Sequence, residues 1–152
     1  MKRIHLCTGI LERAGCLLLV ASRYRNHPGP LWNLPGGRQE PYELLEAALQ
    51  REFDEEVSLP VEIVNVAYVA ESFDRLTETQ FTNVAFVVRS DGEPKMRDGD
   101  LHAVDFAWVP LASVGERLSA DVVRKPLLSY LNGDRRGYYG FQEAGITIEF
   151  ND

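Results

Sequence analysis

Apolar residues recur along the chain with two different periods, and the change of period predicts the elements. Ile4, Leu6, Thr8 and Ile10 alternate with polar neighbours, which is the signature of a strand with one wet face. After a turn at Glu12-Arg13-Ala14-Gly15, residues 16–21 are apolar throughout, as in a strand covered on both faces, so the two runs predict a hairpin. The period then lengthens. Leu45, Ala48, Leu49, Phe53 and Val57 recur every three or four residues in text rich in helix formers, with Pro41 before it and Pro60 after it. Residues 61–73 and 80–89 are β-rich with apolar positions on both faces, which predicts interior strands joined through 74–79. A strand over 104–109 follows, then short helices over 111–118 and 126–131, the second opening at Pro126 and closed by Gly133. An alternating strand through Ile146, Ile148 and Phe150 ends the pattern. These later helices are expected on the sheet face opposite the long helix. The periods alone give only an α/β (α+β) domain; collected together, the elements suggest a mixed sheet between helices. With no internal repeat or linker, residues 1–152 are expected to form a single domain.

Charge changes the picture at the long helix. Arg51-Glu52-Phe53-Asp54-Glu55-Glu56 places four carboxylates and one guanidinium in one short run. At about 100° per residue, Glu52 and Glu56 fall close to Leu45, and Glu55 beside Ala48, so these acids flank the buried stripe instead of facing solvent. Taken alone, an acid-rich helix reads as solvated surface. Acids at the edge of a core repel one another, and Arg51, four residues before Glu55, offsets only one of them. A hard divalent cation with oxygen ligands, Mg²⁺ or Mn²⁺, would neutralise the rest.

The surrounding spacing is more specific. Gly37 is followed after five residues by Glu43, after seven more by Arg51-Glu52-Phe53, and then by Glu55-Glu56 and Leu59. This resembles the Nudix box, G-x(5)-E-x(7)-R-E-U-x-E-E-x-G-U with U a bulky apolar residue, at every defined position except Ser58, where glycine is usual. Leu31-Trp32-Asn33-Leu34-Pro35-Gly36-Gly37 strengthens the resemblance, because a similar segment often precedes the box. The resemblance implies a Nudix-like α/β/α sandwich and a metal-dependent pyrophosphohydrolase. Its substrate would be a nucleoside diphosphate linked to another moiety X: a nucleoside triphosphate, ADP-ribose, a nucleotide sugar or a dinucleoside polyphosphate. It further implies Glu52, Glu55, Glu56 and the Gly36 carbonyl as metal ligands, Glu52 or a loop acid as the base, and Arg51 as the partner orienting Glu55 or Glu43. Gly37 and Glu43 would be structural within the motif. Ser58 touches only how the helix ends, at a backbone cost on the order of 1 kcal/mol if it turns left-handed. A non-catalytic nucleotide-sensing domain is the alternative, which the intact acids disfavour.

Outside the box the signals are weaker. Arg23, Arg25 and His27 lie in a Pro/Gly-rich loop and are candidates to meet phosphate, as Trp32 is to stack on a base. Relatives of this kind often recruit an additional acid, and Glu71 and Glu78 are the nearest; Glu78 is taken as a substrate-contacting candidate. Where many relatives have a glutamate before the late W-V-P segment this chain has His102, with Asp98 and Asp100 as possible substitutes. The tail, with Arg135, Arg136, Tyr138 and Tyr139, suggests packing or a homodimer contact more than a lid. A net charge of −7 and the lack of a long basic stripe argue against general nucleic-acid or anionic-membrane binding but leave room for a small anionic substrate, which the resemblance implies is a nucleotide. No apolar run is long enough to span a bilayer, and Cys7 and Cys16 read as buried reduced thiols, so the cytoplasm is the expected location.

Overall fold

The architecture is taken from a computed structural model that describes residues 1–99 and 102–150. Strands β1 (Lys2–Ile10), β2 (Glu12–Arg13), β3 (Cys16–Ser22), β4 (Leu31–Asn33) and β5 (Gly36–Arg38) precede helix α1 (Leu45–Val57). Then come β6 (Glu62–Asp74), β7 (Thr79–Arg89) and β8 (Ala103–Pro110), a 3₁₀ turn (Leu111–Ser113), α2 (Val114–Arg117), α3 (Asp121–Leu131) and β9 (Tyr138–Phe141).

The strands form two sheets where the sequence suggested one. The larger has the order β5-β1-β7-β6-β9 and is mixed: β1 runs parallel to β7 and β9 parallel to β6, while β6 and β7 form an antiparallel hairpin. The smaller is built on β3, flanked by β2, β4 and β8. The first hairpin is therefore made by β2 with β3, and β1 belongs to the other sheet. The fully apolar text of β3 is explained by this position, since Leu18 and Val20 enter one core cluster and Leu17 and Leu19 the other. Successive strand side chains point to opposite faces, and α1 and α3 use this. Ala48, Leu49, Phe53 and Val57 of α1 pack with Cys7, Phe86 and Val88, whereas Leu127 of α3 packs with Tyr68, Ala70, Ala85 and Tyr139.

Three further expectations are corrected. Helix α3 begins at Asp121, so Pro126 lies inside it and gives up one intrahelical hydrogen bond. The first half of β6 is not face-covered: Val64 and Val66 are 44% and 55% exposed, because the core cluster that includes Leu127 of α3 takes in only Ala67, Tyr68 and Ala70 of this strand. The closing strand is Tyr138–Phe141, while 146–150 is irregular. The alternation of Ile146, Ile148 and Phe150 does report a shared face, but that face lines a cleft.

Gly9 sets how α1 sits. A Cβ there would lie 2.5 Å from Cε2 of Phe53, so the aromatic anchor of the helix rests on bare backbone. At its other end α1 stops at Ser58, which takes the left-handed conformation (φ 55°, ψ 36°), its N–H donating to the Asp54 carbonyl at 3.0 Å. No helix among the described residues is long and apolar enough to cross a membrane.

Candidate active site

Arg51 is the hub of the acid cluster. Its Nε and Nη2 donate to the two carboxylate oxygens of Glu43 at 2.8 and 3.0 Å, a bidentate fork. Nη1 donates to Glu52 at 2.9 Å and to Glu55 at 3.3 Å, and Nη2 also reaches the Arg38 carbonyl at 3.0 Å. Beside this cation the Glu43 carboxyl is held below its ordinary range, and the carboxylates in turn raise the pKa of Arg51. Glu43 also accepts the N–H of Glu40 at 3.0 Å, fixing the loop that enters α1.

The glycine pair brings the backbone to the acids. Glu56, only 3% exposed, accepts the Gly36 N–H at 3.0 Å. A Cβ on Gly36 would come within 2.0 Å of the Cys7 carbonyl oxygen, and its φ of 155° also favours glycine. At Gly37 a Cβ would sit 2.5 Å from the carboxyl carbon of Glu52, so the missing side chain is the space this carboxylate occupies. Glu52 is 14% exposed and Glu55 47%, so the three acids run from buried to wet along one helical edge.

The buried end of this edge, at Glu56, adjoins a cleft of about 130 Å³. Gly36, Gly37 and Glu56 line it, and so does Cys7, whose thiol burial pushes up to about 12 and keeps protonated. Away from the acids the walls are largely apolar, including Leu6, Leu34, Tyr68, Phe81, Val122 and Val123, with Thr8, Asn33 and Asn83 supplying neutral polar groups. Asn83 is an amide on a central strand whose Nδ2 donates to the Thr8 hydroxyl at 3.1 Å. Tyr24 stands edge-on to His102 at 5.1 Å between ring centres, and its phenol is pushed up to about 12, first by burial and then by the charges of Glu56 and Glu52.

Several sequence candidates fall elsewhere. Arg23 and Arg25 are exposed and do not line the cleft; Tyr24 between them does. Trp32 is half-buried, with the Arg117 guanidinium 4.9 Å over its ring, while its neighbours Asn33 and Leu34 reach the cleft. Glu78 sits exposed in the β6–β7 turn and is not a cleft residue, whereas Glu71 is, held by the Tyr138 hydroxyl at 2.7 Å. Arg135 and Arg136 stack on Tyr130 and Tyr139 on the outer surface. Asp98 is exposed, and Asp100 lies outside the described residues. Asn83 is the cleft residue that sequence reasoning missed although a signal was readable, an amide inside the otherwise apolar run of β7.

Among the described residues, no three His, Cys, Asp or Glu side chains stand preassembled as a metal cage, because Glu52 and Glu55 are turned toward Arg51 and Glu56 toward Gly36. The donors nonetheless fit a hard cation: clustered carboxylate oxygens, with a cradle at Gly37 that any Cβ would fill.

Fold and box together define a class, and comparison with known proteins agrees. The NUDIX domain family model matches residues 3–131. The chain belongs to that family, the Nudix hydrolases, which cleave phosphoric anhydride bonds and generally use a divalent metal. A relative named putative 8-oxo-dGTP diphosphatase 2 from Mycobacterium tuberculosis is 37% identical over 114 residues, covering 63% of this chain and 74% of the relative. An 8-oxo-dGTP diphosphatase from Proteus vulgaris is 34% identical over 61 residues, covering 40% of this chain and about half (54%) of that protein. In fold, the chain is similar to a MutT NUDIX hydrolase from Burkholderia pseudomallei, with a TM-score of 0.71 at 23% identity, over 84% of this chain and 97% of the other.

Proposed function

We propose that this chain is a Mg²⁺-dependent pyrophosphohydrolase of nucleotides, with a nucleoside triphosphate as its preferred form of nucleoside diphosphate linked to X. The observation that carries this reading is the junction of two unlike surfaces. Glu56, the buried end of the acid edge, opens into a cleft whose walls are mostly apolar and neutral-polar, with Glu71 the other carboxylate in its lining among the described residues. No Lys or Arg lines that cleft among the described residues, so its inner part suits a flat uncharged group and the phosphates belong at the acid end. Thr8, Asn33 and Asn83 present hydroxyl and amide groups of the kind that read the edge of a base. The name shared by the two relatives described above, 8-oxo-dGTP diphosphatase, supports a triphosphate substrate.

Glu52, Glu55, Glu56 and the Gly36 carbonyl would hold the ion, Mg²⁺ or alternatively Mn²⁺. Bound there, it supplies charge neutralisation of the phosphate oxygens and a water of lowered pKa. Glu52 takes the proton of the attacking water. Arg51 holds the Glu52 and Glu55 carboxylates together, and Glu43 keeps Arg51 in place. Water adds to phosphorus as one P–O anhydride bond breaks, giving a nucleoside monophosphate and pyrophosphate. The two free thiols fit a reducing cytoplasm.

The test is product release from a panel of nucleoside triphosphates, ADP-ribose, nucleotide sugars and dinucleoside polyphosphates, each with Mg²⁺ and with excess chelator. Hydrolysis that ignores the chelator, or turnover of no nucleotide at all, would overturn the reading.

A further inference from the structure

The family match ends at residue 131, yet the chain beyond it completes the cleft. Strand β9 adds an edge to the larger sheet, and the Ala144 N–H then donates to the Phe73 carbonyl at 2.7 Å. From there residues 144–150 run across the cleft as an irregular strap, with Ala144, Ile146, Ile148 and Phe150 lining it.

The strap is pinned on one side by the loop before β4. The Thr147 carbonyl accepts from Asn26 Nδ2 at 2.6 Å and lies 2.8 Å from His27 Nε2. The Glu149 N–H donates to Asn26 Oδ1 at 2.9 Å, and its carbonyl accepts from the Arg25 N–H at 2.9 Å. At its end Phe150 meets Tyr24 edge-on at 6.0 Å and carries the Arg38 guanidinium 4.1 Å over its ring. Apart from these pins the strap has no ladder to either sheet. A few hydrogen bonds from an exposed loop must offset the entropy of ordering the whole segment, so its closure is sensitive to whatever fills the space beneath it.

We infer that residues 144–150 are the substrate-selecting wall of the cleft: a strap that closes on the flat, apolar part of the bound nucleotide. Asn26 is its positioning residue. The identity of that ligand rests on the function proposed above; the strap itself does not. Phe150 and Tyr24 stand where the acid edge meets the apolar floor, so this wall selects on the group that enters the cleft beyond the phosphates and leaves the hydrolytic groups untouched.

Hydrogen exchange of the strap, followed with and without Mg²⁺ and an imido-linked nucleoside triphosphate analogue, tests this together with steady-state kinetics. In the wild type the analogue should slow exchange across 144–150. In N26A the segment should exchange faster without ligand, and KM should rise by about tenfold with kcat altered far less, the expected split for lost ground-state binding. N26D, which keeps the acceptor for the Glu149 N–H, should lie between. F150A should narrow the difference in kcat/KM between good and poor bases. Analogue binding that leaves strap exchange unchanged overturns the inference, as does an N26A strap that exchanges faster while KM stays at the wild-type value. If no panel nucleotide is hydrolysed but the analogue still protects the strap, the proposed function fails and the strap stands.

Discussion

The two ends of the cleft are built in opposite ways. At the acid end the ion pairs are local: Arg51 reaches Glu43, Glu52 and Glu55, all within eight residues of it, and one helix carries three of the acids, with the Arg38 carbonyl and the Gly36 N–H as the more distant partners. The apolar end is assembled from segments far apart in the chain. Leu6, Phe81, Tyr68, Val123 and Ile146 come from five separate segments, brought together by sheet pairing and a strap. On the function proposed above, the difference would put chemistry and selection in separate parts of the fold, so that each can be perturbed while the other is watched.

The sharpest way to break this division is Glu56→Gln. Glutamine keeps an oxygen for the Gly36 N–H and removes only the charge, so turnover should fall at least about a hundredfold with the fold intact by circular dichroism. An equally active E56Q would dismiss the acid end as the site of chemistry. Asn83→Ala works on the other end. Deleting an amide whose described partner is Thr8 should raise KM by about tenfold and lower kcat much less. If kcat falls as far as in E56Q, the two ends are not separable.

Smaller effects sharpen the comparison through stability. Ser58→Gly should raise the unfolding free energy by about 1 kcal/mol in a urea titration, because it removes a left-handed strain at the helix end and touches neither surface of the cleft. The last test is a slope. Arg51 lowers the pKa of Glu43 in the folded chain, so the unfolded chain binds the proton more readily. That contribution is complete above the ordinary value of 4.5 and is lost as pH falls through the depressed value. Glu43→Gln should therefore flatten the acid limb of the stability curve below about pH 4.5 relative to wild type. An unchanged limb would mean that Glu43 is not tied to Arg51 in solution.

The same division explains which parts of the molecule are legible in the sequence. The acid end is legible because helical spacing converts directly into geometry, and Glu56 beside Leu45 on the wheel is buried in the fold. Periodicity also reports the face shared by Ile146, Ile148 and Phe150, but a period says only that residues point the same way, not whether they meet a ladder or a cleft. Arg23 and Arg25 fail as candidates for a related reason: in an extended loop alternate residues diverge, and the cleft receives Tyr24 between them. The separation into two sheets is invisible because β1 and β3, adjacent in sequence, pair with strands drawn from distant parts of the chain.

Gly9 joins what the two ends keep apart. Because the Phe53 ring lies where a methyl group at position 9 would project, the height of the carboxylate row above the larger sheet is set from underneath, by an absence. The core and the reactive edge thus share a single spacer of zero thickness. Sequence drift that adds bulk beneath the helix at this point would lift the carboxylate row off its register, which confines stabilising change in this protein to regions away from that contact.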